Sequence, residues 1–486
     1  MHPPQGERRG DGSRAGRRRR RKPTTGHQAA AALGMALLSA ILPGVGHIRA
    51  GRKKLGIPIF AVFVLLVAGG VYVATTMDRF ALIGYIVDPD VLTGVIVCAL
   101  LLSVAWTAVI VSAYRMRRPS NMRPLQLAAS AFVVALLSLA VSTPPIYAAH
   151  YAYVGRDVIN TVFPGKDQNH QVKRKTKEGA DPWAGRPRIN VLLLGGDWGN
   201  DRTGVRTDSM TVASINTHTG DTVMYSLPRN MLHAPMPKRL QDKFPYGFTD
   251  LLNAVYRYGA DHPRQFPGHR NHGAAAIREV AGKIVGLPID YSVLVNLRAF
   301  REIIDAMGGI TIYVNKDLPI GGKGGVPITG YVHKGLHHLN GEKALWYARS
   351  RAADDDYHRM RRQRCVLGAL AKQADPSTVL NGFQKIASTT KQNVSTNIPN
   401  ADLPALLQLG EKAKSAEITS VQFVPPRVDT SDPDYAKIRK RAHKAIEASK
   451  ARTEAERTAK PDPGTGSKAD GGHSKSKSLD DVCRYR

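Results

Sequence analysis

The segment RINVLLLG, residues 188–195, is the strongest indication of fold class in this 486-residue chain. It is a short, continuous apolar run that ends in glycine, a pattern typical of a strand that is buried on both faces of a sheet. Two further strands are predicted at Ser209–Asn216 and Asp221–Leu227, and the link HTGD between them suits a hairpin. A sheet therefore begins at residue 188.

Beyond residue 249, segments with helical spacing alternate with short strand-like runs. This alternation predicts an α/β fold in which helices sandwich a mixed central sheet. Asp250 is expected to cap the first of these helices. The glycine pairs Gly195-Gly196 and Gly308-Gly309 are expected to form turns. The predicted helices are Asp250–Tyr258, Gly273–Val285, Leu297–Met307, Gly341–Arg349, Arg359–Gln373 and Tyr435–Lys460, and the additional strands are Tyr291–Val295 and Ile310–Val314.

The first 150 residues have a different composition. Residues 1–28 hold nine Lys and Arg, six of them in the run Arg17–Lys22, which predicts a disordered arm. Because a mostly apolar region follows, we interpret this arm as a cytoplasmic topology signal rather than a nucleic-acid-binding segment. Three stretches approach the ~20 residues that a membrane-spanning helix needs. They are residues 57–77, 91–114 and 127–149, whereas the apolar stretch 29–48 is interrupted by Pro43-Gly44.

The charges between these stretches predict a direction. Basic clusters precede the first span at Arg52–Lys54 and separate the last two at Arg115–Arg123, whereas Asp78–Asp90 holds three aspartates and one arginine. The positive-inside rule places the basic clusters in the cytoplasm and the acidic loop outside. Three crossings then put everything after about residue 150 outside the cell, provided that residues 29–48 lie in the interface or re-enter. The alternative, with four crossings, would expose both basic clusters and is disfavoured.

An exterior location bears on the cysteines. Cys365 and Cys483 would lie where disulfides persist, and the sequence leaves their pairing open. The patterns together divide the chain into an arm (1–28), a helical membrane region (29–150), a polar stalk (151–187), an α/β domain (188–428) and a basic C-terminal tail (429–486).

Charged side chains gather at the ends of the predicted elements. Asp197 and Asp208 end one strand and begin the next, so both reach one edge of the sheet, where ligands of open α/β sheets bind. Two carboxylates beside arginines suit a phosphate group that carries Mg²⁺, which proteins hold through one or two carboxylates plus substrate phosphates. Arginine suits phosphate because its planar fork donates two parallel hydrogen bonds. For any single arginine, an ordinary surface ion pair is the alternative interpretation. The arginines fall in four segments: Arg206; Arg229; Arg349 and Arg351; and Arg359 and Arg362, with Gln363 beside them.

Ordered sequence blocks between about Ile189 and Leu370 resemble the LytR–CpsA–Psr family. These blocks include NVLLLGGDWG, GVRTDSMTVASIN, SLPRN, LLNAVYRYG, IIDAMGGITIYV, GLHHLNGEKALWYARSR and DYHRMRRQ. The resemblance implies a membrane-anchored enzyme that takes a glycopolymer from a polyprenyl-pyrophosphate carrier. It would join the polymer to peptidoglycan through a phosphodiester, typically at a muramoyl 6-hydroxyl. An apolar groove for the polyprenyl tail is also implied.

The resemblance further assigns roles to residues of this chain. Asp197 and Asp208 match magnesium-associated aspartates, and they are expected to be catalytic together with Arg206 and Arg229. The chain departs from the family pattern at Asn230, where aspartate is frequent, and at Leu251, where lysine is frequent. A non-catalytic wall-associated protein that binds the lipid carrier or regulates, and a polyprenyl pyrophosphatase, are the alternatives. The expected pyrophosphate-binding set is Arg206, Arg229, Arg349, Arg351, Arg359, Arg362 and Gln363.

Overall fold

The structure of the protein is a computed structural model. It describes residues 25–77, 84–85, 87–163, 182–183, 185–197, 205–322, 327–352, 354–374, 393–458, 477–479 and 483. Most of the predicted arm, the middle of the predicted stalk and residues 459–476 of the predicted tail lie outside the described residues. The described chain divides into two compact units.

The smaller unit, which covers described residues 25–76 and 97–149, is helical. Three helices of the membrane region are long and apolar enough to cross a membrane, and they match the three predicted spans, except that the first helix ends one residue before its predicted span does. The alanine-rich face of α1 packs against Ile110, Tyr114 and Val134. The helices of the membrane region are α1 (Thr25–Ile41), α2 (Val45–Arg49), α3 (Lys53–Thr76), α4 (Pro89–Arg117) and α5 (Pro124–Val162).

The larger unit, residues 77–96 and 150–486, is built on a sheet of seven strands. These strands are β1 (Arg188–Asp197), β2 (Arg206–Asn216), β3 (Thr222–Ser226), β4 (Tyr291–Asn296), β9 (Val394–Thr396), β10 (Ile418–Gln422) and β11 (Lys477–Ser478). Two small sheets pair β5 (Ile310–Val314) with β8 (Gly335–Leu339) and β6 (Leu318–Ile320) with β7 (Gly330–Val332).

The strand order β11-β10-β3-β2-β1-β4-β9 brings four carboxyl ends to one edge. Strand β1 is parallel to β4, and β3 is parallel to β10, whereas β2 runs antiparallel to both β1 and β3. Strands β1, β3, β4 and β10 therefore point the same way. Side chains that follow these strands meet at the same edge of the sheet, which we call the site edge.

Helices cover both faces of this sheet. Because side chains alternate along a strand, Leu192 and Leu194 of β1 enter one core, with α6, α7 and α12, while Val191 enters another, with α11. Helices α8, α9 and α10 pack in a third cluster beside the small sheet of β5 and β8. The predicted α/β class with a mixed, helix-covered sheet is confirmed. The helices of this unit are α6 (Ala254–Asp261), α7 (His272–Val285), α8 (Leu297–Ala306), α9 (Gly341–Arg349), α10 (Asp356–Gln373), α11 (Leu403–Ser415) and α12 (Tyr435–Thr458).

Several predicted details are wrong. Helix α6 begins at Ala254, because Asp250 turns its carboxylate to the neighbouring Leu251 amide instead of capping a helix. Gly195-Gly196 forms no turn: both residues lie within β1. Helix α5 continues to Val162, inside the predicted stalk. The boundary at residue 428 is also wrong, because Ile438 and Ala442 of α12 are buried in the core of the domain.

Candidate active site

A cavity of about 510 Å³ lies between strands β1 and β4 and helices α8, α9 and α10. The elements that line this cavity contribute apolar side chains at one end and charged side chains at the other. Strand β1 contributes Leu193 and then Asp197 at the site edge, while α10 contributes Arg359 near its start and Leu367 further along. Arg359 reaches the backbone carbonyl of Asp208, with its Nη2 atom 3.4 Å from that oxygen, so the polar ends of strand and helix coincide. The remaining apolar lining includes Val293, Val295, Leu297, Phe300, Ile303, Leu345, Val366 and Leu370.

The two predicted aspartates both line the polar end of this cavity. The pairing of β1 with β2 shifts register there: Gly195 faces Ser209, but the next residue, Gly196, faces Thr207, so Asp208 is the extra residue of a bulge. A bulge re-aims side chains, and bulges are frequent next to active sites. A Cβ atom on Gly195 would lie 3.1 Å from Ser209 Cβ, so the close strand approach favours glycine. The glycine pair thus shapes the site instead of turning the chain.

A third carboxylate, Asp356, organises the arginines. Its Oδ1 lies 2.9 Å from Arg359 Nη2 and 3.4 Å from Arg351 Nε, and its Oδ2 lies 3.4 Å from Arg229 Nε. Arg229 also donates from Nη1 to Asp208 Oδ1 at 2.6 Å. Three guanidinium groups from three different segments therefore converge on one carboxylate. Asp356 was not predicted as a site residue, although it stands in the quoted block DYHRMRRQ.

Burial and the neighbouring carboxylates have opposite effects on the pKa values of two of these arginines. Arg359 is only 3% exposed, and burial lowers the pKa of its guanidinium to about 10 while the Asp356 carboxylate opposes that shift. Arg359 is therefore a buried cation at neutral pH. Burial also acts to lower the pKa of Arg229, but the hydrogen bond and charge of Asp208, together with Asp356, outweigh it, so that pKa is raised. A buried cation needs an anionic partner, and the site supplies one internally.

The predicted anion-binding residues occupy three different positions. Arg349, Arg351, Arg359 and Gln363 line the cavity with the two aspartates, and Arg349 also lies over the Trp346 ring at 5.1 Å. Arg229 borders a small recess that shares Asp208, Arg359 and Gln363 with the cavity. The side chain of Arg206 lies outside the described part of the structure, which gives only its backbone, paired with Asp197.

Arg362 is placed differently from the prediction. Its side chain is buried, and its Nε donates to the Tyr347 carbonyl at 2.7 Å. The other nitrogen atoms bind the Ser350 carbonyl and the Asp354 carboxylate. All these partners lie at the end of α9 or in the loop that follows it. Arg362 therefore holds the loop that carries Arg351, and its donors are occupied by that loop and the end of α9.

The residues present fit Mg²⁺ only as an ion shared with a substrate. Among the described residues, no group of three or more His, Cys, Asp or Glu side chains could hold a metal. Asp197 and Asp208 nevertheless line the same polar end of the cavity. Two carboxylates suffice when phosphate oxygens and water complete the coordination. This donor set suits Mg²⁺ and offers no closed protein cage.

The predicted cysteine pair is joined in the structure. Cys365 of α10 and Cys483 form a disulfide, with their Cα atoms 5.4 Å apart. Both residues are buried in the core beside α10, the helix that carries Arg359 and Gln363. The bond therefore attaches the C-terminal segment to a wall of the cavity.

The match to a family model is extensive. A model described as the LytR_cpsA_psr family matches residues 158–453, more than half of the chain. The chain belongs to this family. The predicted resemblance is confirmed, and the match extends into α12, which lies beyond the blocks from which the LytR–CpsA–Psr likeness was first drawn.

Individual proteins that this chain resembles are distant in sequence. Biofilm regulatory protein A of Streptococcus mutans is 31% identical over 249 residues, which cover 49% of this chain and 58% of that protein. The polyisoprenyl-teichoic acid–peptidoglycan teichoic acid transferase TagU of Bacillus mycoides is 28% identical over 255 residues, 51% of this chain and 73% of that protein. Among solved structures, TagT bound to LIIa-WTA is 24% identical, with a TM-score of 0.42, and covers 58% of this chain and 97% of that one.

Proposed function

We propose that the protein transfers a glycopolymer from a polyprenyl-pyrophosphate carrier to peptidoglycan and joins the two through a phosphodiester. The observation that carries this proposal is a single cavity with apolar walls and, at one end, arginines and two carboxylates. Such a cavity matches a ligand with a long apolar tail and an anionic head. The transferase name of the family member TagU supports the same reaction class.

The chemistry follows from the charges at the polar end. The acceptor hydroxyl oxygen attacks the phosphorus that bears the glycan, and the bond from that phosphorus to the bridging oxygen breaks. Polyprenyl monophosphate leaves, and the hydroxyl proton is released to solvent. Arg349, Arg351 and Arg359 stabilise the charge that builds on the phosphate oxygens, which is the main contribution a protein makes to phosphoryl transfer. Arg229 orients the Asp208 carboxylate from the recess through its hydrogen bond.

Mg²⁺ is part of the proposal. Asp197 and Asp208 would hold it together with phosphate oxygens, and when bound it neutralises charge on the pyrophosphate. Asp208 is already hydrogen-bonded to Arg229, which fixes the direction of its carboxylate. Arg349, Arg351 and Arg359 line the same end of the cavity as these two aspartates.

The membrane topology is also proposed. Three helices are long and apolar enough to cross a membrane. With the basic clusters Arg52–Lys54 and Arg115–Arg123 in the cytoplasm, three crossings leave the α/β domain outside the plasma membrane. This location suits an enzyme whose acceptor is the cell wall.

A direct assay tests the function. The full chain in detergent micelles is incubated with a synthetic polyprenyl-pyrophosphate glycan and peptidoglycan fragments, and the products are identified by mass. The expected product is the glycan phosphodiester of the fragment, formed with an equal amount of polyprenyl monophosphate. Release of glycan phosphate without the fragment would make the protein a pyrophosphatase, and binding without any product would make it a carrier-binding or regulatory protein.

A further inference from the structure

An exposed apolar segment borders the polar end of the cavity. In the described part of the α/β domain, five large hydrophobic side chains are strongly exposed, and three of them fall within nine residues. These three are Ile328 (49% exposed), Tyr331 (46%) and Leu336 (52%); the other two, Tyr246 and Leu251, belong to a different loop. Single exposed apolar residues are ordinary, but a cluster marks an interaction site.

The segment is built onto the wall of the cavity. Strands β6 and β7 form a hairpin in which Tyr331 pairs with Pro319. Gly321, which lines the cavity, is so close to the returning chain that a Cβ atom on it would lie 2.1 Å from the Pro327 carbonyl oxygen. A Cβ atom on the next residue, Gly322, would lie 2.8 Å from Ile328 Cγ1 and 3.3 Å from Ala352 Cβ. The hairpin therefore touches the loop that carries Arg351, at the polar end of the cavity.

The charge around the segment is positive. Between residues 310 and 341 the sequence contains three lysines, three histidines and a single acidic residue, Asp317. Asp317 is already engaged, because it accepts a hydrogen bond from the Lys334 amide and lies 3.2 Å from His333 Nδ1. Exposed Ile, Leu and Tyr beside lysine match the composition of segments that lie at a membrane–water interface.

We propose that the β6–β7 hairpin and the start of β8 dock the α/β domain onto an anionic lipid bilayer, so that a bilayer-embedded prenyl pyrophosphate enters the cavity without crossing water. This inference rests on the proposed function in one respect, namely that the ligand has a prenyl tail. Tyr331 lies at the level of the phosphate headgroups, which brings Arg351 and Arg359 to the depth of the pyrophosphate. The positive charge of Lys334 adds attraction to acidic lipids.

Spin labelling tests the contact without any need for turnover. The full chain carrying Cys98→Ala, with Cys365 and Cys483 left in their disulfide, is given a single label through Ile328→Cys and reconstituted in phosphatidylcholine–phosphatidylglycerol vesicles. The matched control is Tyr246→Cys, whose native side chain is 87% exposed. The label at 328 is expected to collide more with lipid-soluble oxygen and less with a water-soluble nickel chelate than the control. Equal water access at both positions would overturn the proposal.

Turnover measurements separate this proposal from the proposed function. Tyr331→Ser is compared with Tyr246→Ser on a long-chain substrate in vesicles and on a short-chain substrate dissolved in water. Tyr331→Ser is expected to raise KM for the vesicle substrate about tenfold while leaving the soluble substrate unchanged; an equal loss on both substrates would refute docking. If the wild-type chain transfers nothing from either substrate, the proposed function fails, and the spin-label result still decides the membrane contact.

Discussion

Replacing Asp356 by asparagine perturbs the centre of the arginine cluster. This carboxylate lies within 3.4 Å of nitrogen atoms of Arg229, Arg351 and Arg359. Asparagine keeps a hydrogen-bonding oxygen in a similar volume but removes the negative charge. The substitution is therefore expected to weaken the fold and, because the arginines lose their internal anion, to strengthen the binding of an external one.

The size of the effect follows from burial. Removing one partner of a buried ion pair costs about 3–5 kcal/mol, whereas exposed pairs contribute roughly 0–1 kcal/mol. Arg359 is buried, but Asp356 itself is 27% exposed, and the amide retains an acceptor. We therefore expect a loss of about 2–3 kcal/mol. For a domain of this size each kcal/mol shifts Tm by about 2–4 °C, so Tm should fall by roughly 5–10 °C.

Thermal unfolding of the full chain in micelles, with increasing inorganic pyrophosphate, measures both effects. A ligand that binds only the folded state stabilises it by RT ln(1 + [L]/Kd). The Asp356→Asn protein should thus gain more stability than the wild type at each pyrophosphate concentration, while the exposed Asp242→Asn serves as a control that changes neither quantity. An unchanged Tm, or a smaller pyrophosphate effect in Asp356→Asn than in the wild type, would refute the role given to this carboxylate.

Three further substitutions separate the parts of the site. Asp208→Ala should abolish Mg²⁺-dependent transfer in a protein that unfolds near the wild-type temperature, as judged by product mass and Tm; unchanged transfer would remove the metal from the mechanism. Arg362→Gln should reduce kcat by about tenfold or more, because the loop that carries Arg351 is misplaced; pyrophosphate binding should weaken less. Arg362→Lys should restore little activity, because lysine lacks the planar fork that reaches Tyr347, Ser350 and Asp354. Leu367→Trp should leave inorganic pyrophosphate binding intact but weaken binding of the long-chain lipid about tenfold. The larger side chain would displace the lipid tail, and the loss of two buried methylene groups at about 0.8 kcal/mol each raises Kd by about tenfold. Equal binding of the long-chain lipid by Leu367→Trp and the wild type would place the tail elsewhere.

Sequence patterns predicted the long elements because their periodicity is local. The run RINVLLLG was identified as β1, and the helices at α7, α8, α9 and α12 were predicted to within a few residues of their bounds. Strands β9 and β11, with three and two residues, are too short for any period to appear, and they depend on pairing with β4 and β10. The start of α6 was missed for a related reason: the Asp250 side chain has a local alternative partner, which competes with helix capping.

The residue types of the site could be predicted from the sequence, but the contacts between them could not. The order of the sequence blocks identifies the arginines. Their convergence on Asp356, however, joins residues that are distant in sequence: Arg229 follows β3, Arg351 precedes α10 and Arg359 lies within α10. No local sequence pattern predicts that contact. Arg362 is the converse case, because it was predicted to bind pyrophosphate but its side chain binds a loop instead. It lies three residues after Arg359 and one before Gln363, so helical spacing places it near the cavity-lining face of α10.

What removes Arg362 from the cavity is the path of the chain between α9 and α10. The loop folds back over it, so that the Tyr347 and Ser350 carbonyls and the Asp354 carboxylate take its donors. Ser350 is fixed on its other side by a hydrogen bond from its hydroxyl to the Pro319 carbonyl, and Asp354 pairs with Lys316. Arg362, which was predicted to bind phosphate, thus stabilises the loop that positions Arg351. An arginine that positions a loop and an arginine that binds the ligand have the same residue type and similar spacing in the sequence. Only their three-dimensional contacts show that the loss of Arg362 would impair positioning, whereas the loss of Arg359 would impair binding.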